Sequence, residues 1–328
     1  MIKTIEDKGA LIEEAKECLQ QGKLVILPTE TVYGLGADAT NGDAIAAIYA
    51  IKGRPDFNPL IAHMYDIAMV EEYCILDPLS RKLMEKFWPG PISFVLPLKP
   101  EHDLHPNACA GLRTLAVRCP LGIFRDIIGA LGKPIVAPSA NISGRLSPTT
   151  AKAAASDLGD KVDLIIDGGA CSIGLESTIV KILPEACYLL RPGGISKEEI
   201  LAHIDRPLLS MDHDQAIEAP GMLASHYAPR ALIRLNAQHV EEGEALLRFG
   251  QGRVKNMERA NYVLNLSESA DLQEAALRLF AYLRRLDKED VDRIAVQTIP
   301  NCGLGEAIND RLLRAAAPRE NNRENNED

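Results

Sequence analysis

Aromatic side chains are scarce in this chain of 328 residues: Phe, Trp and Tyr make up 5% of it, and there is 1 tryptophan. So few flat rings leave little for stacking on exposed bases, which argues against a surface specialised for single-stranded nucleic acid. Positive charge is not in excess either. With 36 Lys and Arg against 46 Asp and Glu, the formal net charge is -10, which argues against broad wrapping of a phosphate backbone but allows a local basic pocket. No apolar run reaches the roughly 18 residues that cross a bilayer. The opening Met1-Ile2-Lys3-Thr4-Ile5-Glu6-Asp7 lacks the apolar stretch of a signal peptide. The 7 cysteines (Cys18, Cys74, Cys109, Cys119, Cys171, Cys187, Cys302) form no Cys-x-x-Cys pair and no metal spacing. An odd, scattered set reads as reduced thiols in a cytoplasmic protein with no membrane partner. Also missing are the P-loop, a complete GxGxxG after the first strand, and GxSxG, so the common nucleotide and serine-nucleophile signatures are absent.

The length favours two domains. Apolar residues at helical spacing predict helices over 10–21, 78–87, 121–131, 150–156 and 197–203, with Asp43 capping another that runs to about 51. Short apolar runs predict strands over 24–27, 60–63, 92–98, 115–117, 135–137, 164–166, 178–182 and 188–190. Such a mixture is an α/β domain around a twisted mixed sheet, and its continuous apolar strands fit burial on both faces. Periodicity fades over 206–229, where Pro207, Pro220, Gly221 and Pro229 break the pattern, as in an interdomain linker. Beyond it, strands at 232–235, 262–264 and 293–296 alternate with helices at 240–249, 271–286 and 305–316, a βαβαβα layer of Rossmann-like outline. Residues 318–328 have almost no apolar content and are expected to be disordered.

The chemistry gathers in loops. The apolar run 24–27 stops at Pro28 and gives way to Thr29-Glu30-Thr31-Val32-Tyr33-Gly34-Leu35-Gly36, read as a loop whose glycines let the backbone approach a ligand. Lys52-Gly53-Arg54-Pro55 follows as a source of cations for negative oxygens. Pro138-Ser139-Ala140-Asn141-Ile142-Ser143-Gly144 is either a capped turn or a set of hydroxyls and N–H groups that holds an anion. Arg113, Arg118 and Arg191 lie at strand ends and, with Lys52 and Arg54, favour one shared anion pocket because loops at one sheet edge converge. His63 is a core histidine or a ligand, and Glu176-Ser177 a ligand contact or a strand start. Glu101-His102-Asp103-Leu104-His105 reads as a solvated loop rather than a metal site, and Gly303-Leu304-Gly305 as a turn.

Taken in order, PTETVYGLG at 28–36, KGRP at 52–55, PSANISG at 138–144, ESTIV at 176–180 and RPGGI at 191–195 resemble the YrdC-like family in its long, two-domain form. Gly221-Met222 followed by Ser225-His226-Tyr227-Ala228-Pro229 resembles that form's linker, and the whole resemblance covers about residues 8–230. It implies a YrdC-like catalytic domain over 1–206 with a large basic cavity, a linker or lid over 207–230, and a small Rossmann-like domain over 231–317. The implied activity joins L-threonine, bicarbonate and ATP, with Mg2+, into threonylcarbamoyl-AMP and releases pyrophosphate. A downstream tRNA threonylcarbamoyl transferase machinery would use the product to make N6-threonylcarbamoyladenosine (t6A). By the same resemblance Thr31, His63, Arg118, Ser177 and the Ala137 backbone hold threonine. Lys52, Arg54, Asn58, Thr114, Ser139, Ser147 and Arg191 hold ATP, Tyr227 closes over the nucleotide, and Arg145 reaches a phosphate. Lys52 and Arg54 are the expected catalytic cations. The rival reading is an RNA-binding or ribosome-maturation module that uses the same basic cavity.

Overall fold

The computed structural model describes residues 1–210, 219–221 and 226–318. Through the first part of the chain run β1 (Ile2–Thr4), α1 (Lys8–Gln20), β2 (Val25–Leu27), β3 (Gly34–Asp38), α2 (Gly42–Lys52), β4 (Ile61–His63) and α3 (Ile67–Tyr73). Next come α4 (Pro78–Phe87), β5 (Ile92–Pro97), β6 (Thr114–Arg118), α5 (Ile123–Leu131), β7 (Ile135–Val136) and α6 (Ala151–Leu158). Then follow β8 (Leu164–Asp167), β9 (Thr178–Ile182), β10 (Cys187–Arg191), α7 (Lys197–Leu201) and β11 (Leu208–Ser210). These strands make one 11-stranded mixed sheet in the order β1-β8-β2-β3-β7-β4-β6-β5-β9-β10-β11.

Both faces of that sheet are covered, as its apolar strands require. Ile26, Leu35, Ala62, Phe94 and Val117 face a core with Ile45 and Ile48 of α2 and Leu83 and Met84 of α4. Val25, Leu27 and Ile135 face the other way, against Leu11, Ala15 and Leu19 of α1 and Phe124, Ile127 and Ile128 of α5. Local signals set the ends of the helices. Asp7, Asn41, Asp66, Asp77 and Thr150 each accept a backbone N–H at a helix start. The cap of α2 is therefore Asn41 and not Asp43, because only Asn41 precedes the helix by the geometry an N-cap needs. Gly53 adopts φ +59° and ends α2, so Lys52 stays on the last helical turn while Arg54 is sent in a new direction.

The second part holds β12 (Leu232–Arg234), β13 (Glu244–Arg248), β14 (Val263–Asn265), α8 (Leu272–Leu286), β15 (Arg293–Val296) and α9 (Leu304–Ala316). Its four strands are all parallel, in the order β12-β15-β13-β14. The helix expected at 240–249 is instead β13. Gly243, at φ +80°, breaks the helical path, and buried Glu244 takes Arg234 at 2.5 Å, which orders the residues as a strand. Gly303 and Gly305 do open α9; a Cβ on Gly305 would fall 1.9 Å from the Pro300 carbonyl, so close packing requires glycine there.

Four elements were not expected from the sequence: β1, β3, α3 and β11. β3 runs through Gly34 and Gly36, whose φ values are ordinary. These glycines serve close approach inside a sheet, since a Cβ on Gly36 would lie 2.7 Å from Leu27 and one on Gly34 3.2 Å from the Ala137 Cβ. β11 lies within the presumed linker yet pairs in parallel with β10, so the large sheet continues to Ser210. The remainder of the linker, 211–218 and 222–225, and the tail from 319 lie outside the described residues.

The two layers share a core. Val32, Leu146 and Leu175 of the first pack with Tyr227 and with Ala276, Leu279 and Phe280 of α8. Gly174 touches the α8 backbone so closely that a Cβ would meet the Leu277 Cα at 2.6 Å. Arg284 of α8 pairs with Asp157 of α6 at 2.6 Å and also donates to the Leu146 carbonyl.

Candidate active site

The loops that follow β2, β4, β6, β7 and β10, and the one that precedes β9, meet at one edge of the large sheet. β4 and β6 are parallel neighbours, and their register sets His63 beside Arg118. There they enclose a narrow cleft of about 50 Å³ lined by Thr29, Thr31, Val32, Gly34, Arg54, Ile61, His63, Arg118, Ala137, Pro138, Ser139, Glu176, Ser177, Arg191, Pro220, Gly221, His226 and Tyr227.

Arg118 organises one side. Its Nε donates to the Gly90 carbonyl at 3.2 Å, Nη1 to Thr31 Oγ1 at 2.8 Å, and Nη2 to Glu30 Oε1 at 2.6 Å. Gly90 follows Trp88, whose indole N–H donates to the Ile92 carbonyl at 2.8 Å. Glu30 uses its other oxygen to accept the Leu121 N–H at 3.1 Å. Both partners are buried, Arg118 at 4% and Glu30 at 7% exposure. An arginine carries five N–H groups, so one on each terminal nitrogen of Arg118 is left without a partner among the described residues. Those two N–H groups are donors left to meet an acceptor such as a carboxylate. Thr31 is fixed from its other side by the Thr29 hydroxyl at 2.7 Å. His63 stacks on Phe124 with ring centroids 4.7 Å apart, and its buried Nδ1 has no partner. Burial, with Arg118 as neighbour, pushes its pKa down to about 3 and keeps it neutral.

The other side carries Arg54, Ser139, Arg191, His226 and Tyr227. Arg54 donates through Nε to the Asn58 carbonyl at 3.0 Å and through Nη2 to Asn58 Oδ1 and the Pro59 carbonyl, both at 2.7 Å. Burial lowers its pKa to about 10, which still leaves it a cation at neutral pH. Arg191 donates to the Ser177 carbonyl through Nε at 3.1 Å and Nη2 at 2.9 Å, and to the Pro220 carbonyl at 3.2 Å. Ser177 shares a 2.8 Å hydrogen bond with Ser93. Tyr227 sits at φ +62°, is 1% exposed, and packs on Phe280 with ring centroids 5.5 Å apart. It is thus at once a wall of the cleft and a core residue of the second layer. Neighbouring His226 is buried with an unpartnered Nδ1, and desolvation takes its pKa down to about 3.

Several expected residues stand behind the wall rather than in it. Lys52, 2% exposed, donates through Nζ to the Ser139 carbonyl at 2.6 Å and the Asn141 carbonyl at 2.5 Å, tying the end of α2 to the Pro138–Gly144 loop. Burial, and then Arg54, lower its pKa well below the usual lysine value. Asn58 holds Arg54 in place, and Ser147 donates to Glu176 Oε1 at 2.5 Å. Thr114 lies at the opposite end of β6 from Arg118, and neither it nor exposed Arg113 lines the cleft, because a strand of this length carries its two ends well apart. Arg145 is exposed and lines a separate groove between the layers. Of the three strand-end arginines, then, two converge. Glu101 to His105 is a loop, and no group of His, Cys, Asp or Glu among the described residues could cage a metal ion. No described helix is long and apolar enough to cross a membrane.

Sequence reasoning named no role for Glu30, His226 or Arg311, and left Glu176 as a ligand contact or a strand start. Glu30, Glu176 and His226 lie inside quoted motifs, so their position was a usable signal. Arg311 lies in none. Its Nε donates to Glu176 Oε2 at 2.8 Å, and burial of the Glu176 carboxyl is outweighed by Arg311 and Arg191, which hold its pKa below the ordinary value.

A family model described as "Telomere recombination" matches residues 17–193, and one described as "Threonylcarbamoyl-AMP synthase, C-terminal domain" matches residues 195–317. The chain is 40% identical to the threonylcarbamoyl-AMP synthase of Bacillus subtilis, over 94% of this chain and 93% of that protein. It is 38% identical to the protein of the same name from Pyrococcus abyssi, over 92% of each. Among solved structures, P. abyssi Sua5 complexed with L-threonine superposes with a TM-score of 0.86 at 35% identity, covering 96% of this chain and 97% of that one.

Proposed function

The chain belongs to the threonylcarbamoyl-AMP synthase family, enzymes that serve the t6A modification of tRNA, and from that membership we propose how its cleft divides the work. L-threonine is the amino-acid substrate, and its carboxylate meets the two open N–H groups of Arg118. Thr31, His63, Ser177 and the Ala137 backbone surround the rest of it. ATP occupies the side of Arg54, Ser139, Arg191 and Tyr227, with Lys52, Asn58 and Ser147 bracing that wall from behind.

The chemistry needs little beyond position and charge. Bicarbonate supplies CO2 to the threonine amine, and a carbamate oxygen then attacks the α-phosphorus of ATP while pyrophosphate leaves. Both reactants are anions, so catalysis consists of holding them in line and neutralising the charge that builds on phosphorus. Arg54 and Arg191 are fixed by carbonyl acceptors before substrate arrives and need no reorganisation. Mg2+ travels with the triphosphate as part of that substrate, consistent with the carboxylates nearest the cleft, Glu176 in its wall and Glu30 behind it, being already held by arginines. A carbamate is labile in water, which gives a reason for walls as closed as those made by His226 and Tyr227.

The observation that carries this reading is the convergence of Arg54, Arg118 and Arg191 with Thr31, Ser139 and Ser177 in one cleft. Pyrophosphate release measured with threonine, bicarbonate, Mg2+ and ATP tests it: release should depend on threonine. Salt-sensitive RNA binding with no such release would instead favour an RNA-binding module.

A further inference from the structure

We propose that Arg311, on α9 of the second layer, is a positioning residue of the cleft in the first, acting on the nucleotide wall through Glu176. The inference rests on the division of the cleft just given. Arg311 is completely buried, with 0% of its side chain exposed, and lies 135 positions in sequence from the carboxylate that its Nε holds at 2.8 Å. Its own aim is fixed twice more. Nη1 donates to Asp310 Oδ2 at 2.6 Å, and the guanidinium carbon lies 5.2 Å from the centroid of the Tyr227 ring.

A buried guanidinium is costly unless its environment requires it, and this one leaves Nη2 without a hydrogen-bond partner among the described residues. Its placement therefore follows from what it orients, and not from full satisfaction of its own donors. What it orients is a relay: Arg311 fixes Glu176 Oε2, and Glu176 Oε1 receives the Ser147 hydroxyl at 2.5 Å. Glu176 and Tyr227 both line the cleft. One residue of the second layer thus sets two residues of the cleft wall, Glu176 before β9 and Tyr227 beyond the large sheet, and through Tyr227 and Ser147 its effect falls on the nucleotide side. Among the described residues no such contact reaches Arg118, Glu30 or Thr31.

Steady-state pyrophosphate release by the full chain tests the proposal. Arg311→Ala should raise KM for ATP about tenfold or more while KM for threonine stays within about twofold, the loss expected of one charged hydrogen bond acting on one side. Arg311→Lys should fall between that variant and the parent, and Glu176→Gln, which keeps the volume, should reproduce the selective rise. Asp157→Asn cuts a second inter-layer ion pair and should leave both constants within about twofold. The proposal is overturned if Arg311→Ala and Arg311→Lys keep the parental KM for ATP, if both substrates weaken in parallel, or if Asp157→Asn matches Arg311→Ala. Should Arg311→Ala not fold, Arg311→Lys and Glu176→Gln decide by the same criteria. A parent protein with no threonine-dependent release would count against the functional reading, a result distinct from any of these.

Discussion

On the threonine side of the cleft, Arg118, Glu30, Thr31 and His63 all come from the large sheet and its loops, whereas the nucleotide side borrows His226 and Tyr227 from beyond that sheet and Arg311 from α9. The first side is a closed circuit, with a buried ion pair and a hydroxyl chain fixed from Thr29 to Arg118. The second is complete only when both layers are docked. Rigid recognition of a small amino acid needs short links between neighbours. A larger nucleotide that must enter and leave is better served by a wall assembled from separate parts.

The largest expected effect strikes the closed circuit. Arg118→Ala should lower kcat/KM for threonine by about a thousandfold or more, as loss of a preorganised charge contact does. It should also cost stability by about 3–5 kcal/mol, because Glu30 is left buried without its partner. Replacing both, Arg118→Met with Glu30→Leu, should restore much of the melting temperature and none of the activity. If the pair recovered turnover, the threonine side would not depend on this circuit.

Removal of residues 211–328 attacks the second side alone. It exposes Val32, Leu146 and Leu175, each worth about 1.5–3 kcal/mol when buried. Turnover should fall about a hundredfold, the scale of lost positioning, while calorimetry still detects threonine. Equal loss of threonine binding would erase the distinction between the sides. The cut belongs after Ser210, since β11 is part of the large sheet.

Lys52→Ala should cost about tenfold to a hundredfold in kcat/KM for ATP, because it frees the Ser139 and Asn141 carbonyls from their buried partner. As Lys52 backs the nucleotide wall, KM for ATP should carry most of the change. A variant with parental ATP kinetics would remove Lys52 from that wall.

The effect that is smallest at neutral pH, and grows only in acid, is a pH dependence. His63 and His226, one on each side, keep pKa values near 3 when folded against about 6.5 when unfolded. The unfolded chain therefore binds protons first, and each histidine should remove about 1.4 kcal/mol of stability per pH unit as pH falls from about 6.5 to 3. Denaturant melts across that window should show the slope, and His226→Asn should lower it by one histidine's share. An unchanged slope would mean that His226 is not held neutral.

Much of this arrangement was legible in the residues. β2, β4, β6, β9 and β10 follow from apolar runs that end in polar residues, and their convergence at one sheet edge was expected from α/β topology. Gly34 and Gly36 misled because glycines in a polar motif read as a loop that approaches a ligand, while here they sit in a strand and answer crowding by Leu27 and Ala137. Residues 240–249 misled because helical spacing of apolar residues outweighed one glycine in the reckoning, and Gly243 decided otherwise. Lys52 was visible as a cation, but its pairing with two carbonyls depends on a loop 87 positions away. Arg311 was illegible because its partner is 135 positions distant and its helix carries an ordinary amphipathic pattern.

The single tryptophan of the chain stands two positions before Gly90, the residue whose carbonyl anchors Arg118. Threonine bound to Arg118 as proposed should therefore shift the emission of this one indole, free of overlap from any second, in the unlabelled protein and without turnover.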